Sequence, residues 1–164
     1  MTKLFLLFTI CFSTYSFSQR KLAKLLKEEN LGTIPYISVD SLKQIKNDVI
    51  LLDSREEREF KVSHLRNAIC VGYDFFNIDS LKQKVPDKKS NIIVYCSVGI
   101  RSEDIAEKLK NSGYTNVLNL YGGIFEWKNN DLEIVNSKEK LTDSVHTFSV
   151  EWSKWLKKGI RVYE

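Results

Sequence analysis

Cys96 sits in Tyr95-Cys96-Ser97-Val98-Gly99-Ile100-Arg101-Ser102, between two stretches of opposite periodicity. Before it, Asn91-Ile92-Ile93-Val94-Tyr95 has the β-branched, apolar content of a buried strand. After it, Glu103–Asn111 places Ile105, Ala106 and Leu109 on one helical face, and Gly113 follows where a helix end favours a left-handed residue. The cysteine is therefore expected at the carboxyl end of a strand, in a tight loop that opens into a helix N-terminus. Amides left unpaired in a first helical turn, with the helix dipole, favour an anion in that loop. A thiolate is such an anion, so Cys96 is expected to act as a nucleophile. Arg101 adds a fixed positive charge, and Ser102 is the expected N-cap, with Glu103 and Asp104 suited to the positive end of the helix.

These residues need a scaffold, and the chain is long enough to supply one. A sequence of 164 residues with 43% apolar content builds one domain with a real core. Its net charge of +4 is spread among acidic residues, with no basic block of the kind that tracks nucleic acid and no cysteine or histidine spacing that would hold zinc. No metal and no cofactor are expected.

Residues 1–18 read as a signal peptide. Lys3 opens a short positive region, Leu4–Phe12 is an apolar run too short to span a bilayer comfortably, and Ser16-Phe17-Ser18 offers small residues for cleavage before Gln19. The expectation is export, to a periplasm or the exterior, with no stable membrane insertion. Cleavage would leave two of the three cysteines, Cys70 and Cys96, in a compartment that tolerates disulfides. They are not in a Cys-x-x-Cys arrangement, and Cys70 lies in the strand-like Ala68-Ile69-Cys70-Val71, so core packing is its simpler role, while a pairing with Cys96 stays open.

Residues 19–34 form a helical lead-in, with Leu22, Leu25 and Leu26 on one face and Gly32 at its end. From 35 to 131 strands alternate with helices. Ile37–Val39, Val49–Leu52, Ile69–Val71, Ile92–Tyr95 and Val117–Leu120 read as strands. Ser41–Lys46, Glu56–Phe60, Phe75–Val85, Glu103–Asn111 and Ile124–Asn129 read as helical. This alternation implies an α/β fold with a mostly parallel five-stranded sheet and helices on both faces. Ligands in such sheets bind beyond the carboxyl ends of the strands, where both Asp53 and Cys96 fall. In residues 132–164, Phe148, Trp152, Trp155 and Leu156 are spaced as on a helix with one aromatic face. That helix is expected to pack on the domain; a lid near the site or a protein-docking surface is the alternative.

Four segments, in order, resemble the rhodanese-like, or single-domain sulfurtransferase, family. Asp53–Phe60 resembles its Asp-x-Arg-x-x-x-Glu-Phe opening, and Ser63–Ile69 its Gly-His-Ile-x-Gly-Ala segment. Cys96–Ser102 resembles the Cys-x-x-Gly-x-Arg-Ser loop, and Asn119–Trp127 the closing Leu-x-Gly-Gly-x-x-x-Trp signature. The resemblance implies that Cys96 takes a sulfane sulfur from a small donor as a persulfide and passes it to a thiol or cyanide. The loop Ser97, Val98, Gly99, Ile100 and Arg101 would cradle the anionic sulfur. Arg101 either clamps the incoming anion or braces the loop through a carboxylate, and Arg58 is a further candidate anion contact. Asp53, Arg55, His64 and Ser102 are expected to be structural supports, with no need for His64 as a base.

Two departures stand out. Ser63 and Asn67 replace family glycines, so the backbone beside His64 is expected to shift slightly. Ser97 and Val98 occupy positions where a basic or polar side chain often helps hold thiosulfate, which argues against thiosulfate as the natural donor. A sulfur carrier or regulatory module without turnover fits the same residues. A cysteine phosphatase or arsenate reductase fits less well: Tyr95 replaces the expected histidine, and the four residues between Cys96 and Arg101 close a tighter ring than a phosphoryl group needs.

Overall fold

The computed structural model describes residues 20–163; the segment read as a signal peptide lies outside them. Residues 20–29 form helix α1. Residues 32–163 form a second unit. Its elements begin with β1 (Tyr36–Ile37), α2 (Val39–Ile45), β2 (Ile50–Asp53), α3 (Glu57–Val62), β3 (Ile69–Cys70), α4 (Ile78–Lys84), β4 (Asn91–Tyr95), α5 (Arg101–Asn111), β5 (Asn116–Leu120) and α6 (Gly123–Asn129). The remaining part contributes β6 (Ile134–Val135), β7 (Leu141–Thr142), β8 (Ser144–His146), α7 (Val150–Ser153) and β9 (Ile160–Val162).

The five strands β1 to β5 make one parallel sheet in the order β1-β5-β4-β2-β3, so the expected α/β architecture holds. β4 lies at its centre, Leu52 opposite Val94 on one side and Asn119 opposite Val94 on the other. Because alternate strand residues face opposite sides, Ile92 and Val94 join Leu52, Leu81, Ile105, Leu109 and Val117 in one core cluster. Ile93 and Tyr95, also buried, point to the other face. α5 packs on β4 and β5, which fixes its N-terminus next to the end of β4.

Several boundaries differ from expectation for reasons of capping. α2 starts before Asp40 because the Ser38 hydroxyl accepts the Ser41 amide at 3.1 Å. α4 starts only at Ile78 because the Asn77 side chain accepts the amides of Asp79 and Ser80, both at 2.9 Å. Ser102 is not an N-cap: α5 begins one residue earlier, at Arg101, and Ser102 lies inside its first turn.

Near His64 the backbone keeps what a glycine would supply. Asn67 adopts φ 66°, a left-handed conformation that asparagine enters more readily than most residues. Ser63 is extended, with φ −166°, and needs no glycine.

Among the described residues beyond 131 there is no long aromatic-faced helix. β6 pairs antiparallel with β7, β8 pairs parallel with β9, and helix is confined to the single turn α7. Phe148 has φ 62°, which breaks any helical continuity with Trp152. His64 and Val135 exchange backbone hydrogen bonds at 2.8 and 2.9 Å, which fastens this extension to the segment between α3 and β3.

Candidate active site

Cys96 follows the last residue of β4 and precedes α5 by four residues, and the intervening chain folds back on the sulfur. Gly99, at φ 107°, turns its amide to donate to Cys96 Sγ at 3.1 Å. A side chain at that position would resist this backbone conformation. The Ser102 hydroxyl lies 3.5 Å from the same sulfur. Cys96 is almost wholly buried, yet it forms part of the wall of a pocket of about 130 Å³. The sulfur thus lies at the N-terminus of an 11-residue helix, with an amide aimed at it and a cavity beside it.

Two buried elements hold the loop from behind. The first amides of α6 donate to it, Ile124 N–H to the Cys96 carbonyl at 2.9 Å and Phe125 N–H to the Ser97 carbonyl at 3.1 Å. This approach explains the glycine pair before α6. A Cβ on Gly123 would lie 2.2 Å from the Cys96 carbonyl oxygen, and its φ is 56°. From β5, the buried Asn119 side chain donates to the Gly99 carbonyl at 2.9 Å and accepts the Ser102 hydroxyl at 2.7 Å. Sequence reasoning assigned Asn119 no part, although a polar residue inside an apolar, doubly covered strand must find buried partners.

Arg101 braces the loop. Its two terminal nitrogens donate to the two carboxylate oxygens of Glu59 at 2.8 and 2.9 Å, and one also donates to the Ser97 hydroxyl at 3.2 Å. Glu59 is fully buried on α3 and also accepts the Glu56 amide at 3.1 Å. Burial alone would discourage charge on either partner. Their hydrogen bonds and mutual attraction outweigh it, so the Glu59 carboxyl is held below its ordinary range and the Arg101 guanidinium above its own. Electrostatic interaction with the nearby Cys96 also raises Arg101. Glu59 was part of the matched motif, but its role becomes visible only in three dimensions.

The other residues singled out lie outside the pocket wall. Asp53 and Arg55 form a buried pair, with Arg55 Nε and a terminal nitrogen on the Asp53 carboxylate at 3.0 and 2.6 Å, and Arg55 also donates to the Ser63 carbonyl at 2.6 Å. Arg55 lies over the Tyr95 ring, and the Tyr95 hydroxyl accepts the Leu65 amide at 3.1 Å, which joins the ends of β2 and β4. His64 stacks on Phe60, with one ring nitrogen 3.0 Å from the Phe60 carbonyl and the other 3.2 Å from Glu139. Arg58 is exposed on α3. Cys70 and Cys96 are both free thiols, and burial raises the Cys70 thiol.

Ser97, Val98, Ile100 and Arg101 line the pocket with Cys96, whereas Gly99 and Arg58 do not. Phe148, from the turn between β8 and α7, and Trp152, on α7, complete it. The extension thus packs on the domain, with Val145, Thr147 and Leu156 buried, and also contributes Phe148 and Trp152 to the pocket wall. No group of described residues could hold a metal ion.

Comparison with known proteins agrees with this geometry. The chain is 40% identical over 93 residues to the adenylyltransferase and sulfurtransferase UBA4 of Candida albicans, a match covering 54% of this chain and 21% of that one. It is 34% identical over 100 residues to the tRNA uridine(34) hydroxylase of Yersinia enterocolitica, covering 56% and 28%. The chain thus spans less than a third of these relatives. Among solved structures, a rhodanese-related protein from Thermoplasma volcanium superposes with a TM-score of 0.54 at 25% identity, over 62% of this chain and 97% of that one. A thiosulfate sulfurtransferase from Pseudomonas aeruginosa shares the fold, with a TM-score of 0.60 at 17% identity, over 85% and 26%. Residues 38–130 match the family model of the rhodanese-like domain, and with the Cys96 loop, its buried brace and the parallel sheet beneath it, the chain belongs to that family.

Proposed function

We propose that this protein is a sulfurtransferase that moves a sulfane sulfur from a small donor to a thiol through a persulfide on Cys96. The observation that carries the reading is the position of Cys96 Sγ, in a pocket wall, under the Gly99 amide and at the N-terminus of α5. These groups favour negative charge on whichever sulfur occupies the loop, the thiolate before transfer and the terminal sulfur after it. In the first step the Cys96 thiolate attacks the sulfane sulfur of R–S–SH. The donor S–S bond breaks, its electron pair leaves on R–S⁻, and Cys96–S–SH remains. In the second step an acceptor thiolate takes the outer sulfur and Cys96 returns to its thiolate. His64 is assigned no part as a base, since its ring nitrogens face the Phe60 carbonyl and Glu139.

Export follows only from residues 1–18, and we propose it on that basis alone. The transfer is tested by incubating the mature protein with sulfane donors and weighing the Cys96 peptide. A gain of one sulfur atom, lost again on adding a thiol and absent in Cys96→Ser, is the expected result. An unmodified Cys96 with every donor overturns the reading.

A further inference from the structure

The pocket beside Cys96 has two walls that the family match does not contain. The match ends at residue 130, whereas Phe148 and Trp152 line the cavity from the extension. The facing wall is Val98 and Ile100. Among the described lining residues the only cation is Arg101, whose terminal nitrogens already lie on the buried Glu59 carboxylate. A compact anion such as thiosulfate entering here would lose water and meet a guanidinium already paired.

The backbone points the same way. Phe148 is a bulky residue held at φ 62°, a conformation such residues rarely adopt. Its amide donates to His146 Nδ1 at 3.1 Å, and its ring lies 5.4 Å from the Arg101 guanidinium carbon. Unfavourable backbone geometry of this kind persists where surrounding structure enforces it, often beside a ligand. Here it aims an aromatic ring over the reactive loop.

We infer that the site selects donors whose sulfur carries a small apolar group, an arylmethyl or short branched alkyl hydropersulfide, and that Phe148 and Trp152 are the residues that determine this specificity. The inference rests on the transfer reading above. A cavity of about 150 Å³ lined by apolar residues is known to accept benzene, and the pocket of about 130 Å³ is of that order. The chemistry is Cys96–S⁻ + R–S–SH → Cys96–S–SH + R–S⁻, in which the apolar R group stays between the aromatic walls while its sulfur departs. No oxidant or reductant enters.

The test compares loading of Cys96 by benzyl hydropersulfide, cysteine hydropersulfide and thiosulfate, each rate divided by that donor's rate with a simple thiol in solution. The benzyl donor should exceed the other two by about tenfold or more, the discrimination that small differences in apolar contact give. Phe148→Ala and Trp152→Ala should each shrink that ratio several-fold. Val98→Lys, which places a cation in the wall, should move preference toward thiosulfate. Equal corrected rates for all three donors, or a ratio unmoved by both aromatic substitutions, overturn the inference while leaving transfer intact. Failure of Cys96 to load from any donor overturns both.

Discussion

Arg101 and Glu59, 42 positions apart in sequence, meet through two parallel hydrogen bonds of 2.8 and 2.9 Å directly beneath the Cys96 loop. One residue begins α5 and the other belongs to α3, so the pair ties the reactive loop to a second element of the fold. The Ser97 hydroxyl, 3.2 Å from Arg101, brings the loop itself into the contact.

Removing the carboxylate charge should therefore loosen the loop. Glu59→Gln leaves Arg101 facing a neutral amide, and breaking a buried pair costs about 3–5 kcal/mol. We expect the lower end, near 3 kcal/mol, because the Arg101 side chain is 20% exposed. The folded protein holds the Glu59 carboxyl below its ordinary value of 4.5. Its ionised form therefore stabilises the fold above that pH, and the contribution is lost as pH falls through the lower, folded-state value. Urea titrations on the acid side should show this loss in the wild type and a flatter profile in Glu59→Gln. An equally steep acid profile in the variant contradicts the assignment.

Gly123 sets how closely α6 can approach the cysteine. In Gly123→Ala the new carbon would lie 2.2 Å from the Cys96 carbonyl oxygen, so the backbone of one segment must move. Gly72→Ala is the control, since it shares a positive φ but meets nothing nearer than 3.9 Å. The control should lose about 1 kcal/mol, the penalty of the left-handed backbone alone. Gly123→Ala should lose about 2 kcal/mol more through overpacking, and sulfur loading of Cys96 should fall with it. Equal midpoints for the two variants in chemical denaturation would remove the steric argument.

Local pattern carried most of the fold into view, and distance in sequence hid the rest. β4, the Cys96 loop and α5 are contiguous, so apolar runs, Gly99 and the helical face of Ile105, Ala106 and Leu109 reveal them directly. Glu59 and Asn119 reach the loop only through tertiary packing. Asn119 left a trace, an amide side chain within Val117-Leu118-Asn119-Leu120, whereas Glu59 belonged to the matched opening motif with nothing local to name its partner. The extension misled because Phe148 and Trp152 have helical spacing. Pairing of β8 with β9 and the left-handed backbone of Phe148 override that periodicity.

His64 offers a cleaner separation of structure from chemistry. Its ring stacks on Phe60, and its two nitrogens face the Phe60 carbonyl and Glu139. His64→Ala should cost roughly 1–2 kcal/mol of stability, from a lost stacked ring and buried hydrogen bonding. In the folded variant the rate of Cys96 loading should stay within about twofold of wild type, well short of the 10²-fold or greater loss expected for a general base. A hundredfold fall in loading with the fold intact would make His64 part of the reaction.

Phe148 permits a test in which stability and specificity part company. Its positive φ disfavours any residue with a Cβ, so replacing it with alanine removes the ring and keeps the backbone penalty. Glycine removes both. Phe148→Gly should therefore unfold at a higher denaturant midpoint than Phe148→Ala, by about 1 kcal/mol after allowance for glycine's greater freedom in the unfolded chain. Both variants lack the Phe148 ring, so both should lose the same share of the preference for apolar donors. A glycine variant less stable than alanine would mean that the left-handed turn stores no strain, and that the ring is held over Cys96 by its side-chain contacts alone.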